Sequence, residues 1–234
     1  MATSNRSAGP GGRRQTKVRL KTAKQRSASS QRWLERQLND PYVAAAKREG
    51  YRSRAAFKLA EIDAKHKLLK QGKRVVDLGA APGGWAQVGA DRVKSVEGQG
   101  QVVAIDLLDL EPIAGVQFLL LDFMDETAPA RLTVMLRDGH ADIVLSDMAA
   151  QSTGHVGTDH LRIMGLAEAA ADFTCEVLSP GGAFVCKVFQ GGTERALLDR
   201  LKRAFATVKH LKPPASRQES AEMYVVALGF RGEK

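Results

Sequence analysis

Cysteine is nearly absent from this 234-residue chain: Cys175 and Cys186 are the only two. Each lies in an apolar segment and neither has metal-type spacing, which excludes a disulfide framework and a cysteine-based zinc site. They read as reduced core residues of a cytoplasmic protein, and with no His/Cys cluster no metal is expected. Apolar runs approaching the roughly 18 residues of a membrane span are missing. So is the apolar stretch of a secretory signal, so no membrane partner is expected. Acidic residues are absent from residues 1–30, which carry eight Lys or Arg. Residues 31–70 add ten basic and five acidic residues, so the first 70 hold a net charge of +13 and the remainder −4. The basic end is therefore the candidate contact surface for nucleic acid phosphates. Aromatics make up only 6% of the chain, and the basic region favours phosphate contact over base stacking.

Residues 1–30 are rich in Ser, Gly, Arg and Lys and cannot bury enough surface to offset ordering entropy, so they read as a disordered basic tail. Three roles remain open for it: a solubilising tail, an RNA-binding arm, or a transit peptide. Residues 31–234 read as one domain that begins with two basic helices, over 31–50 and 53–70, broken at Gly50, with Ser53 able to cap the second. Strands and helices then alternate. Strands are expected over 74–78, 101–105, 116–121, 142–146, 183–189, 208–211 and 224–228, and helices over 85–94, 127–137, 159–178 and 194–205. The short segment with Pro112 between the second and third strands has room for an abbreviated helix only. Ser179-Pro180-Gly181-Gly182 is expected to close the long helix. This order predicts an α/β fold with a largely parallel sheet covered on both faces.

One stretch concentrates the signal: Val75-Val76-Asp77-Leu78-Gly79-Ala80-Ala81-Pro82-Gly83-Gly84-Trp85. A β-branched run, an acid, a glycine turn and a helical segment in that order suit a nucleotide-like cofactor at the end of a first parallel strand. The turn lacks the Lys-Ser/Thr ending of a P-loop, which argues against a polyphosphate and for S-adenosylmethionine. Acids follow the first four strands: Asp77, Asp106, Asp122 and Asp147. Asp106 stands about 20 residues past the glycine turn, where a carboxylate accepts ribose hydroxyls, and Asp122 is placed to meet the adenine amino group. Any one of them could be a turn former instead. Trp85 reads either as a core aromatic or as a residue packed on the cofactor. Lys187 is the most unusual residue, inside the apolar Phe184-Val185-Cys186-Lys187-Val188-Phe189. It needs a partner such as Asp147, and serves either as a structural ion pair or as a tuned lysine that handles a hydroxyl proton.

The Asp77–Trp85 motif resembles the cofactor motif of the FtsJ/RrmJ (RlmE) family of large-subunit ribosomal RNA 2′-O-ribose methyltransferases. So do Tyr51-Arg52-Ser53-Arg54-Ala55-Ala56-Phe57-Lys58-Leu59, Leu145-Ser146-Asp147-Met148-Ala149, Cys186-Lys187-Val188-Phe189-Gln190-Gly191 and Ser220-Ala221-Glu222-Met223-Tyr224. These segments span roughly residues 30–230 in family order. The resemblance implies a Rossmann-like, S-adenosylmethionine-dependent methyltransferase domain over 31–234 with a mostly parallel seven-stranded sheet. It implies a catalytic tetrad of Lys58, Asp147, Lys187 and Glu222, and cofactor contacts at Gly83, Trp85, Asp106, Asp122 and Asp147. In that tetrad Lys187 would be the base or oxyanion stabiliser, Asp147 its partner, Lys58 a second cation and Glu222 an orienting group. The implied reaction is methylation of a ribose 2′-hydroxyl, on a uridine of 23S rRNA in the large subunit or its precursor, by a monomeric cytoplasmic enzyme. A tRNA or other RNA 2′-O-methyltransferase, or a non-catalytic RNA-binding assembly factor, are the alternatives.

Overall fold

A computed structural model describes residues 28–150, 153–189 and 194–232. The tail expected over 1–30 therefore lies almost wholly outside the described residues. Three helices lead in: α1 (Ala28–Leu38), α2 (Pro41–Glu49) and α3 (Ala55–His66). The expected single helix over 31–50 is two. Pro41 opens α2 at its first turn, and Asp40 caps it by accepting from the Tyr42 amide at 3.0 Å. Proline disfavours helical backbone in the residue before it, and the Asp-Pro pair starts a helix rather than continuing one. The break at Gly50 is as expected, with a left-handed φ of 76°. Ser53 does not cap α3: Arg54 holds that position, and the buried Ser53 Oγ has no hydrogen-bond partner.

The α/β unit follows as β1 (Arg74–Leu78), α4 (Gly84–Val93), β2 (Gln101–Asp106), β3 (Val116–Leu120), α5 (Ala128–Met135), β4 (Ala141–Ser146), α6 (Val156–Val177), β5 (Leu178–Phe189), α7 (Glu194–Ala204), β6 (Phe205–Leu211) and β7 (Glu222–Phe230). The seven strands form one sheet in the order β3-β2-β1-β4-β5-β7-β6. The pairs from β3 to β5 are parallel, and β7 runs antiparallel between β5 and β6. Two expectations fail locally. The link from β2 to β3 contains no helix at all, because it is shorter than a helical crossover requires. Ser179–Gly182 is not a terminating turn between elements but a bulge within β5, where the partner of Ala141 is Leu178 and that of Ile143 is Ala183.

Alternation along the strands feeds two cores. Val76, Leu78, Val103, Ile105, Val144, Phe184 and Val225 face α5, α6 and α7. Val75, Val102, Leu145, Val185, Tyr224 and Val226 face α3 and α4. The chain leaves β1 for β2 on one side and returns through β4 on the other. The carboxyl ends of β1 and β4 therefore flank the crevice where ligands bind in open α/β sheets. No helix among the described residues is long and apolar enough to cross a membrane. Both cysteines are free, and burial pushes the Cys186 thiol up to about 12.

Candidate active site

The glycine turn sits at that crevice. Gly79 has φ 78°, and a Cβ there would come within 2.7–2.9 Å of Met148 side-chain and backbone atoms. The β1 turn and the segment after β4 thus touch only because residue 79 is glycine. A Cβ on Gly84 would overlap Ser53 Oγ, so α4 can pack its first turn against the start of α3 for the same reason.

Beside the turn opens a cavity of about 570 Å³, within the usual range for small-molecule sites. Gly79, Ala81, Asp106, Asp122, Asp147 and Met148 line it, together with Leu107, Leu108, Phe123, Met124 and Arg162. Backbone amides fix the carboxylates in place. Asp106 accepts from Ala81 at 2.8 Å and Leu108 at 2.8 Å, and Asp122 accepts from Met124 at 2.9 Å. Gly83 caps α4 next to the cavity without lining it. Trp85 turns inward: it is 2% exposed, donates Nε1 to Ala55 O at 2.8 Å and stacks near Tyr224. Its ring is therefore core, beneath the turn rather than on the cavity wall.

Four tetrad residues and one more converge at the opposite side of Asp147. The sheet register explains how. Ser146 pairs with Cys186, so Asp147 follows beside Lys187, and Lys187 pairs with Tyr224. Asp147, Lys187 and Tyr224 form a row across β4, β5 and β7, and Glu222 lies two residues up β7, on the same face. Lys58 descends onto them from α3. Lys187 Nζ donates to Asp147 O at 2.7 Å and lies 3.2 Å from Asp147 Oδ1. Lys58 Nζ donates to Glu222 Oε2 at 2.8 Å and to Tyr224 OH at 3.1 Å, while Tyr224 OH donates to Asp147 Oδ1 at 2.7 Å. Tyr224 thus bridges two ion pairs. Its place in the Ser220–Tyr224 segment suggests no role, because only the β5–β7 pairing brings it to Lys187.

The electrostatics follow from burial and charge. Desolvation raises the Asp147 carboxyl, but the Lys187 and Lys58 charges and the Tyr224 hydroxyl outweigh it, and the net shift is downward. Burial, then the Asp147 and Glu222 charges, drive Tyr224 well above its ordinary value, so it stays a neutral donor. Asp77 is the opposite case. Its fully buried carboxyl has no partner of good geometry. Desolvation, then Asp147 and Asp106, push it up to about 8 against a smaller pull from the Ala86 amide.

An acid-lined cavity and a Lys/Asp/Lys/Glu cluster thus meet at Asp147. The FtsJ-like methyltransferase model matches residues 51–230. The chain belongs to the FtsJ-like methyltransferase family. Among its relatives, Ribosomal RNA large subunit methyltransferase E of Azorhizobium caulinodans is 64% identical over 94% of this chain and 91% of its own length. The protein of that name from Bradyrhizobium diazoefficiens is 65% identical over 92% and 94%. A solved structure described as a ribosomal RNA methyltransferase from Plasmodium falciparum superposes with a TM-score of 0.69 at 31% identity, covering 78% of this chain and all of that one. The cofactor of this FtsJ-like methyltransferase is S-adenosylmethionine. The cavity fits it: fixed carboxylates at Asp106 and Asp122 for hydroxyl and amino donors, apolar Leu107, Leu108, Phe123 and Met124 for a purine, and net negative charge for a cation.

Proposed function

We propose that this enzyme methylates a ribose 2′-hydroxyl, that of a uridine in 23S rRNA, on the large ribosomal subunit or its precursor, as a cytoplasmic monomer. The row of Asp147, Lys187 and Tyr224 tied to the Lys58–Glu222 pair carries the reading. The 64%-identical relative, named as a ribosomal RNA large subunit methyltransferase, supports the choice of large-subunit rRNA as substrate. Bound S-adenosylmethionine supplies a methyl group already activated by its sulfonium, so the protein must align the acceptor oxygen and manage one proton. Asp106 and Asp122 would hold the cofactor's ribose and adenine ends, and Asp147, shared by cavity and tetrad, would stand between donor and acceptor. Gly83 and Trp85 act from beneath, by placing the turn.

Lys187 is assigned as the base or oxyanion stabiliser. Two contacts to Asp147 position its amine at the meeting point of the cavity and the tetrad. Lys58 offers a second cation to the ribose, and Glu222 fixes it. Ser216 Oγ in turn donates to Glu222 Oε1 at 2.8 Å. Alignment of this kind can supply part of the roughly 7–11 kcal/mol available to well-oriented reactions, and base assistance about 10²–10⁴-fold.

Labelled cofactor, offered with large-subunit particles and with separate rRNA and tRNA pools, tests the reading. Label is expected in 23S rRNA as a 2′-O-methyluridine, and label confined to tRNA would overturn it. Lys187→Ala is expected to lower turnover by 10²–10⁴-fold with cofactor affinity near wild type. Wild-type turnover in that variant would remove Lys187 from its role.

A further inference from the structure

Leu107 and Leu108 line the cofactor cavity from the link between β2 and β3. They are 60% and 59% exposed, so their faces are open to a ligand. The link, residues 107–115, has neither helix nor strand. Its own amide bonds are local, from Leu108 to Asp106 and from Leu110 to Asp109. Among the described residues, its hydrogen bonds to an element beyond the two strands it joins come from one side chain. Arg52 Nη1 donates to Glu111 O at 2.6 Å, and Nη2 donates to Pro112 O at 2.8 Å. The planar fork of the guanidinium thus takes two consecutive carbonyls.

Arg52 is itself fixed from the other side. Its amide donates to Gln87 Oε1 at 2.8 Å, and Gln87 Nε2 donates to Gly50 O at 3.0 Å. Gln87 lies one turn into α4, the helix that follows the glycine turn. The link and the turn also meet directly at Gly83. A Cβ there would come within 2.6 Å of Ile113 Cδ1 and 3.1 Å of both Leu110 Cδ1 and Arg52 Cδ. The stem of Arg52, the link and the turn therefore close on one residue that has no side chain.

A link tethered at its ends alone samples many conformations, and a ligand that packs on it must fix them. Bonds made before the ligand arrives lower that cost and raise affinity. Leu108 stands three residues before Glu111, so the fork fixes the backbone next to the cavity wall.

We propose that Arg52 is a positioning residue for the cofactor: its guanidinium ties the β2–β3 link to the glycine turn and so pre-forms the apolar wall of Leu107 and Leu108. The inference rests on the reading of this cavity as the S-adenosylmethionine site. Arg52 does not line the cavity and acts through the link.

Calorimetry on the full chain tests it. Arg52→Gln is expected to raise the Kd for S-adenosylmethionine about tenfold. The Kd for S-adenosylhomocysteine should rise by the same factor, since the leucine wall suits the purine that both ligands carry. With large-subunit particles, KM for the cofactor should rise likewise, while kcat at saturating cofactor and KM for RNA stay near wild type. Arg52→Lys, a point charge without the fork, should recover part of the affinity. Leu108→Ala combined with Arg52→Gln should lose less than the product of the two single losses, because both act through one wall. Wild-type Kd in Arg52→Gln would overturn the proposal. So would single losses that multiply in the double variant, or a rise confined to the KM for RNA, which would make Arg52 a contact of the acceptor strand. If Arg52→Gln does not fold, Arg52→Lys carries the test, and a wild-type Kd there would overturn the proposal. Wild-type protein that binds no S-adenosylmethionine would remove the cavity reading and the tie with it. Binding by wild type with an unaffected Arg52→Gln removes the tie alone.

Discussion

Replacing Asp77 by Asn should stabilise the cofactor-free protein, and do so more as pH rises. The Asp77 carboxyl is fully buried, its oxygens lack partners of good geometry, and its pKa stands at about 8 against an ordinary 3.8. An acid whose pKa rises on folding keeps a proton that the unfolded chain has released. Its penalty is absent below pH 3.8, grows as pH climbs toward 8, and then levels off. At about 1.4 kcal/mol per unit the cost at pH 7 is about 4 kcal/mol, an upper bound because relaxation and water entry soften buried charges. Asn carries no charge and can still accept the Ala86 amide. For a domain of this size that corresponds to a gain of roughly 5–15 °C in Tm for Asp77→Asn at pH 8, shrinking toward zero near pH 4. Thermal melts of both proteins across pH 4–9 provide the measurement. Parallel pH profiles would refute the reasoning, since they would mean that Asp77 is solvated or already paired. Asp77 stands two residues before Gly79 of the cavity wall, so a cationic cofactor bound there would favour its ionised form. Calorimetry should therefore find weaker S-adenosylmethionine binding in the variant that is more stable alone.

Tyr224→Phe removes the bridge between the ion pairs while leaving the ring against Trp85. A loss of about 1–3 kcal/mol in transition-state stabilisation is expected, read as a roughly 5–150-fold fall in kcat at saturating cofactor. An unchanged kcat would show that Asp147 and Lys58 hold without it. Gly79→Ala should cost about 1–3 kcal/mol of stability from the left-handed backbone alone, and more from the clash with Met148. Denaturant titration and cofactor calorimetry should find both stability and affinity reduced, and wild-type values in both would contradict the close approach. Removing residues 1–27, which carry eight basic side chains, should weaken RNA binding and flatten its salt dependence with cofactor affinity intact. An identical salt series would leave the tail with a solubilising role.

Much of the architecture was legible along the chain because it is encoded locally. Apolar runs leading into acids marked β1, β2, β3 and β4, and the glycine turn marked the cofactor end of the sheet. Errors arose where a short signal was passed over or tertiary pairing intervened. Asp40-Pro41 split a helix, and the Ser179–Gly182 turn was absorbed as a bulge when β5 continued against β4. The charge split between residues 1–70 and the rest, and the oddity of Lys187 in an apolar strand, also belong to the sequence alone. So does the tetrad as a set of candidates, which came through resemblance rather than spacing.

Which atoms meet was decided in three dimensions. Lys58 and Glu222 are 164 residues apart and pair at 2.8 Å only because α3 covers the face on which antiparallel β7 lies. Cross-strand register, a relation between segments distant in the chain, lines up Asp147, Lys187 and Tyr224 and so gives Tyr224 a task that its own neighbourhood does not suggest. Packing likewise drew Trp85 into the core, stranded Asp77 without a partner and brought Arg54 and Arg217 onto Asp40. Periodicity and turn chemistry act over a few residues and fix the elements. Burial and electrostatics act through space, and their outcome depends on which elements become neighbours.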